Sequence, residues 1–339
     1  MTKGPNAAGS GVEIIGCGHC LPETRLTNAD LEKCMDTNDE WIVKRTGIKE
    51  RRRARIEEGE LTSTLSIKAL NEALSDAGIT ATDLDMLLVA TMTPDMPTPS
   101  VSCITAQKIG AGNIGALDIN GACSGFVFTI SLADSMVRSG AYGTIGVVGA
   151  DTLTRYVDYS NHGRGNAILF GDGAAAVIVR RTEDATKGMT AHRMHTDGTG
   201  SKNLYIPSTR FDIPEGVEYD PRMCHHVQMN GQAVFKFAVN KFQEVIADTL
   251  DDAGLTADDV HHFICHQANS RILDAARDRF GIAEDKLLIN IHKYGNTVAA
   301  SCPLVFYELM KAGRIKPGQR VMFLAFGAGL TWGSSLWQL

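Results

Sequence analysis

The sequence predicts an α/β protein built as two related halves, residues 1–182 and 183–339, and three observations carry that expectation. First, residues 74–90 (LSDAGITATDLDMLLVA) repeat as residues 250–266 (LDDAGLTADDVHHFICH), with Gly78 aligned to Gly254, Thr80 to Thr256 and Asp83 to Asp259. Second, each copy follows an apolar-periodic helical run, and its Gly falls where a helix ends in a left-handed residue. Third, each copy leads into a short apolar run, MLLVAT or HFICH, with the non-alternating character of a strand buried on both faces. A repeat this long is too large for a solenoid and fits a pair of fused α/β units.

Later segments extend the parallel. Residues 131–151 and 303–329 both read as helix, Gly-containing turn and buried strand. In ILFGDGAAAVIV, two apolar runs meet at Gly171-Asp172-Gly173, which predicts a hairpin turn. Residues 196–228 are polar, weakly periodic and rich in turn residues, so a long excursion lining a substrate entrance is expected there.

Composition limits the function classes. The chain has 339 residues, 44% hydrophobic and 21% charged, enough for a substantial core. A net charge of −6 argues against nucleic-acid binding by bulk charge. No stretch approaches the roughly 20 apolar residues of a membrane span. The N-terminus is small and polar, lacks the apolar region of a secretion signal, and predicts a loose tail over the first ten residues. The 8 cysteines are irregularly spaced, which points to reduced thiols in a cytoplasmic protein. Cys17-Gly-His-Cys20 has no second ligand pair, so no metal site is expected.

Three residues stand out chemically. Cys123 follows the apolar run Ala116–Ile119 and precedes a helix carrying Phe126, Phe128, Ile130 and Leu132. A thiol at that strand-to-helix turn meets unpaired N–H groups and the helix dipole, both of which favour the nucleophilic thiolate. A buried structural thiol fits the same position. His266 comes just after a strand, where sites collect in α/β sheets; a lone structural histidine is the plainer reading. Asn296, in Gly295-Asn296-Thr297, precedes a helical run and reads equally as a cap. Near the C-terminus, AFGAGLTWGSSLWQL predicts strand, glycine turn and strand, where backbone N–H groups can approach a substrate.

The set Cys123, His266 and Asn296, in that order across two repeated halves, resembles the β-ketoacyl-acyl-carrier-protein synthase III family of thiolase-like condensing enzymes. The likeness runs from about residue 12 to the C-terminus. It includes TNADLEKCMDTNDEWIVKRTGIKER, DINGACSGF, FGDGAAA, HQANSRI, YGNTVAAS and FGAGLTWGS. The resemblance implies a five-layer αβαβα fold of two pseudo-symmetric halves, commonly a homodimer. It implies an acyl intermediate on Cys123, formed from an acyl-CoA, followed by decarboxylative attack of malonyl-acyl-carrier-protein. CoA is then part of a substrate, and no cofactor is expected. His266 and Asn296 are the implied donors to the enolate oxygen, and the backbone N–H groups of Cys123 and Ala328 the implied oxyanion hole.

By the same resemblance Trp41, Arg45 and Arg164 hold the CoA adenine. The segment before Arg164 is about two residues longer than the common pattern. Lys236, Arg271 and Arg279 would receive the acidic carrier protein. Thr98 stands where short-chain-selective relatives carry a bulky aromatic, so primers longer than acetyl are expected, and this residue would reach the partner subunit's acyl tunnel. Ala328 replaces a glycine found in some members but keeps its N–H. A related enzyme of quinolone or polyketide synthesis with the same site, or one moving the acyl group to oxygen or nitrogen, remains an alternative. A catalytically silent scaffold would lack Cys123, and a degradative thiolase needs a second catalytic cysteine.

Overall fold

The structure, a computed structural model, describes residues 10–339. The expected N-terminal tail lies outside the described residues, apart from Ser10.

Local chemistry repeats along with the sequence. The helices Thr62–Ala77 and Gly231–Ala253 end at Gly78 (φ 66°) and Gly254 (φ 64°), both left-handed caps. Each is followed by a reciprocal capping box, Thr80 with Asp83 and Thr256 with Asp259. The buried strands Met86–Ala90 and His262–Cys265 come next.

The duplication extends to topology. One sheet has the spatial order Gly11–Cys20, Gly173–Thr182, Thr144–Asp151, Met86–Ala90, Gly115–Ile119. Its second strand runs antiparallel to both neighbours, and its last three are parallel. The other sheet has the order Gly188–Thr196, Thr331–Gln338, Arg320–Gly327, His262–Cys265, with the same succession of directions. Among the described residues it has no counterpart of the edge strand Gly115–Ile119. Beyond His262–Cys265 the Gln267 side chain bonds the backbone: Oε1 accepts from the N–H groups of Asn290 (3.0 Å) and Ile291 (3.2 Å), and Nε2 donates to the Leu288 carbonyl (3.2 Å).

Strand alternation sorts the core into layers. Leu87 and Val89 face the outer helix Thr62–Ala77, while Leu88 and Ala90 face inward. Val321, Phe323 and Ala325 face the same interior from the second sheet, and Met322, Leu324 and Phe326 face the outer helices Gly231–Ala253 and Ser270–Phe280. Between the sheets lie the helices Gly125–Arg138 and Ser301–Lys311, contributing Phe126, Ile130, Val305 and Phe306. The result is five layers, αβαβα. Side chains of this size each contribute about 1.5–3 kcal/mol on burial, so the central helices bind the halves together.

One local expectation is corrected. Gly171-Asp172-Gly173 does not join a hairpin. It follows a short helix, Arg164–Ala167, and a strip in which Phe170 pairs with Asn296. Asp172 is fully buried and accepts hydrogen bonds from the Ala54 N–H (2.8 Å), the Thr154 N–H (2.9 Å) and the Thr154 hydroxyl (2.5 Å). These long-range donors, not a two-residue turn, fix the segment.

Candidate active site

The strand Gly115–Ile119 delivers the chain through Asn120-Gly121 into a 3₁₀ turn, Ala122–Ser124, and then the helix Gly125–Arg138. Ala122 sits at φ 47°, a left-handed conformation that costs a non-glycine residue about 1–2 kcal/mol. Surrounding structure must hold it there. Part of that structure is Gly327, at the end of Arg320–Gly327. A Cβ on Gly327 would lie 2.8 Å from the Cys123 nitrogen, so only glycine permits this approach.

Cys123 is 8% exposed. The expectation of a ready thiolate needs correction. Burial pushes this thiol up to about 12, and the nearby Asp151 carboxylate pushes the same way. Its own backbone N–H and a hydrogen bond from Asn296 act in the opposite direction without cancelling them. Desolvation of the charged sulfur outweighs the helix terminus here.

His266 follows His262–Cys265, and its N–H donates to the Leu324 carbonyl at 2.8 Å. The ring packs edge-on against Phe326, with centroids 5.5 Å apart. Neither ring nitrogen has a hydrogen-bond partner among the described residues. Burial holds its pKa down at about 3, so the imidazole is neutral and offers one donor and one acceptor to a ligand.

Asn296 is fixed through its backbone. Its N–H donates to the Leu169 carbonyl (2.9 Å), and its carbonyl accepts from the Gly171 N–H (3.0 Å). Its Oδ1 accepts from the Val298 N–H at 2.9 Å. The side-chain oxygen therefore does cap the following turn, as one reading of the sequence expects, and the amide N–H₂ remains for Cys123.

All three side chains line one cleft of about 630 Å³, walled by apolar residues including Val234, Phe235, Ile272 and Phe326. A second, smaller apolar chamber shares Cys123, Phe170 and Leu204 with it. Met92, Leu153, Ile206 and Val227 line that chamber, as does Ala328. The irregular stretch 196–228 thus supplies walls to both spaces. The arrangement suits a thiol nucleophile with an uncharged imidazole, a carboxamide donor and an apolar chamber on its far side.

Other residues singled out from sequence fall around the mouth. Trp41 lies on the helix Asp39–Thr46, and the guanidinium carbons of Arg45 and Arg164 stand 4.7 and 5.0 Å from its ring centroid. Arg164 thus covers the indole itself. It is held by the Asp36 carbonyl (2.6 Å). Asn269, which lines the cleft, donates to the Arg45 carbonyl at 2.9 Å and so ties this helix to the entrance. Arg271 is exposed and stacks at 5.2 Å on Phe235, a cleft residue, with Lys236 exposed beside it. Arg279 is exposed about 12 Å further along the same helix. Thr98 is exposed and lines neither chamber of this chain. Sequence reasoning missed Asp151 and the chamber residue Met92. A carboxylate closing the apolar run IGVVGAD was the visible signal for the first.

A five-layer αβαβα fold with these side chains converging from both sheets defines a thiolase-like condensing enzyme. The description "3-Oxoacyl-[acyl-carrier-protein (ACP)] synthase III" matches residues 117–198, and its C-terminal counterpart matches residues 250–339. The "Beta-ketoacyl-[acyl-carrier-protein] synthase III" of Caldanaerobacter subterraneus subsp. tengcongensis is 45% identical over 323 residues, 95% of this chain and 96% of the relative. The solved 3-oxoacyl-[acyl-carrier-protein] synthase III of Aquifex aeolicus superposes with TM-score 0.89 at 39% identity, over 97% of this chain and 100% of the other. The Thermus thermophilus structure gives 0.90 at 38%, over 96% and 98%. The chain belongs to the β-ketoacyl-[acyl-carrier-protein] synthase III family, and it is a condensing acyltransferase.

Proposed function

We propose that the chain condenses an acyl-CoA primer with malonyl-acyl-carrier-protein, through an acyl thioester on Cys123, to begin fatty acid synthesis. The supporting observation is that Cys123 from residues 1–182 and His266 and Asn296 from residues 183–339 line a single cleft. In the first step the Cys123 sulfur bonds to the acyl carbon, the bond to the CoA sulfur breaks, and the thiol proton passes to the departing CoA thiolate. Neutral His266 lines the same cleft and offers one donor and one acceptor beside that path. In the second step malonyl-acyl-carrier-protein loses CO₂ and the released electron pair forms an enolate. Its carbon attacks the acyl carbonyl, the carbon–sulfur bond to Cys123 breaks, and the sulfur takes up one proton. His266 and the Asn296 amide donate to the enolate oxygen. The N–H groups of Cys123 and Ala328 serve the acyl oxygen. CoA enters as substrate, and no cofactor takes part.

Trp41, Arg45 and Arg164 bind the adenine end, which requires one guanidinium to leave the indole face. Lys236, Arg271 and Arg279 form the basic rim that receives the acidic carrier, which the overall charge of −6 would otherwise repel. The enzyme acts as a cytoplasmic homodimer. In support, the edge strand Gly115–Ile119 is only partly covered and Leu117 is 49% exposed, a template for pairing with a second copy. Asp118 of that strand holds the N–H groups of Val101 and Ser102, so the exposed Thr98 lies beside the same edge. Among the described residues no helix is long and apolar enough to cross a membrane.

Mass spectrometry of the intact enzyme after exposure to acetyl- through dodecanoyl-CoA tests the reading. One acyl adduct is expected, lost in C123A and retained in N296A, with medium-length chains accepted. An adduct that survives C123A would refute it.

A further inference from the structure

The strand Thr144–Asp151 ends behind the cleft on a carboxylate with no solvent exposure. Oδ1 of Asp151 accepts three hydrogen bonds, from the Thr91 hydroxyl (3.1 Å), the Met92 N–H (2.9 Å) and the Thr93 hydroxyl (2.9 Å). Oδ2 accepts one, from the Ala299 N–H at 3.1 Å. Ala299 lies three residues beyond Asn296, in the turn Val298–Ala300. That turn is strained, since the β-branched Val298 sits at φ 53°. It is also gripped from the same strand at a second point: a Cβ on Gly149 would lie 2.3 Å from the Ala299 carbonyl oxygen, so the absent side chain makes room for that carbonyl.

We propose that Asp151 is a positioning residue that sets the Asn296 carboxamide for the decarboxylative step while leaving acylation of Cys123 unaided. This rests on the role given to Asn296 above. The two carboxylate oxygens divide the work. Oδ1 belongs to the first half, through Thr91–Thr93, and Oδ2 alone reaches across to the turn carrying Asn296. The Asn296 hydrogen bond favours the Cys123 thiolate, but the Asp151 charge disfavours it more strongly. The Asp151 charge raises the Cys123 pKa, so its removal does not slow nucleophilic attack.

Asp151→Asn is the diagnostic change because it keeps size and shape. Its carbonyl oxygen can satisfy the three donors at the Oδ1 position, which leaves its N–H₂ facing the Ala299 N–H, donor against donor. The turn is released and the rest stays bonded. A catalytic donor displaced by about 1 Å loses roughly 10²-fold in rate.

The test measures the half-reactions separately: acyl transfer from acyl-CoA to Cys123 by intact mass, and CO₂ release from malonyl-acyl-carrier-protein. D151N is expected to slow CO₂ release by about 30- to 100-fold and to change acylation by less than about threefold. N296A should show the same selectivity, and D151N should add nothing to N296A, because both act through one carboxamide. T91V, which removes one Oδ1 donor, should give a weaker effect in the same direction and carries the test if D151N does not fold. Equal slowing of both half-reactions in D151N or T91V, or full additivity with N296A, would overturn the proposal while N296A remains selective. An N296A enzyme that releases CO₂ normally would instead overturn the underlying role of Asn296.

Discussion

Replacing Gly327 with Ala tests whether the nucleophile's position depends on the approach of the second sheet. Gly327 has no positive φ, so its own backbone tolerates a side chain, and any effect is steric. The new Cβ would meet the Cys123 nitrogen at 2.8 Å, and the Cys123 Cβ and Ser124 nitrogen at 3.2 Å each, against ordinary contact from 3.4 Å. Backbone cannot swing aside like a flexible side-chain end. Relief requires the turn Ala122–Ser124 to retreat by about 0.6 Å, or the strand Arg320–Gly327 to do so. With roughly 10²-fold lost per ångström of misplacement, acylation should slow by about ten- to thirtyfold. Overpacking of this kind also costs about 1–3 kcal/mol of stability. Rapid-quench intact-mass kinetics with a saturating acyl-CoA, together with a melting curve, read both effects. Gly198→Ala is the control, since its Cβ would meet nothing within 4 Å. An acylation rate in G327A equal to that of G198A and wild type would refute the steric argument.

Three further outcomes are expected. With the Cys123 thiol near 12, the thiolate fraction rises about tenfold per pH unit, so alkylation of Cys123 by iodoacetamide, followed by peptide mass spectrometry, should climb from pH 7 to 9 without levelling; a plateau below pH 8 would contradict the burial. His266, at about 3 when folded and 6.5 when free, binds its proton in the unfolded chain first. Its contribution to stability is therefore present above 6.5 and lost as pH falls toward 3, by about 1.4 kcal/mol per unit. Asp151 and Asp172, raised by burial to about 6, act with the opposite sign: their contribution is present below 3.8 and lost as pH rises through 6. Urea titrations should accordingly show H266Q gaining on wild type as pH is lowered from 6.5 to 5, and parallel curves would refute the assignment. Arg164→Ala removes one guanidinium from the Trp41 face, an interaction of about 0.5–1 kcal/mol, and should change KM for acyl-CoA about two- to fivefold with kcat unaltered.

The separate readings of Cys123, His266 and Asn296 illustrate what can be read along a chain. Each alone fits a structural role, and Asn296 does cap a turn. Their common order within a duplicated α/β pattern is what singled out the site. The repeat was legible because its determinants are short-range: the left-handed Gly78 and Gly254 and the two capping boxes form bonds within a few residues. In the structure, strand alternation then places Val321 and Met322 on opposite faces of the second sheet.

The sequence by itself determined the two-halved α/β plan and the residue types that carry the chemistry, because helix caps, periodicity and apolar runs act over one or two turns of chain. Only the tertiary structure decided that Gln267 bonds the backbone of Asn290 and Ile291, that Asp172 is a buried bracket, that Arg164 covers Trp41, and that burial raises the Cys123 pKa. Each of these turns on desolvation or on partners far away in sequence, such as the 148 residues separating Asp151 from Ala299. No local pattern encodes the field at a buried atom.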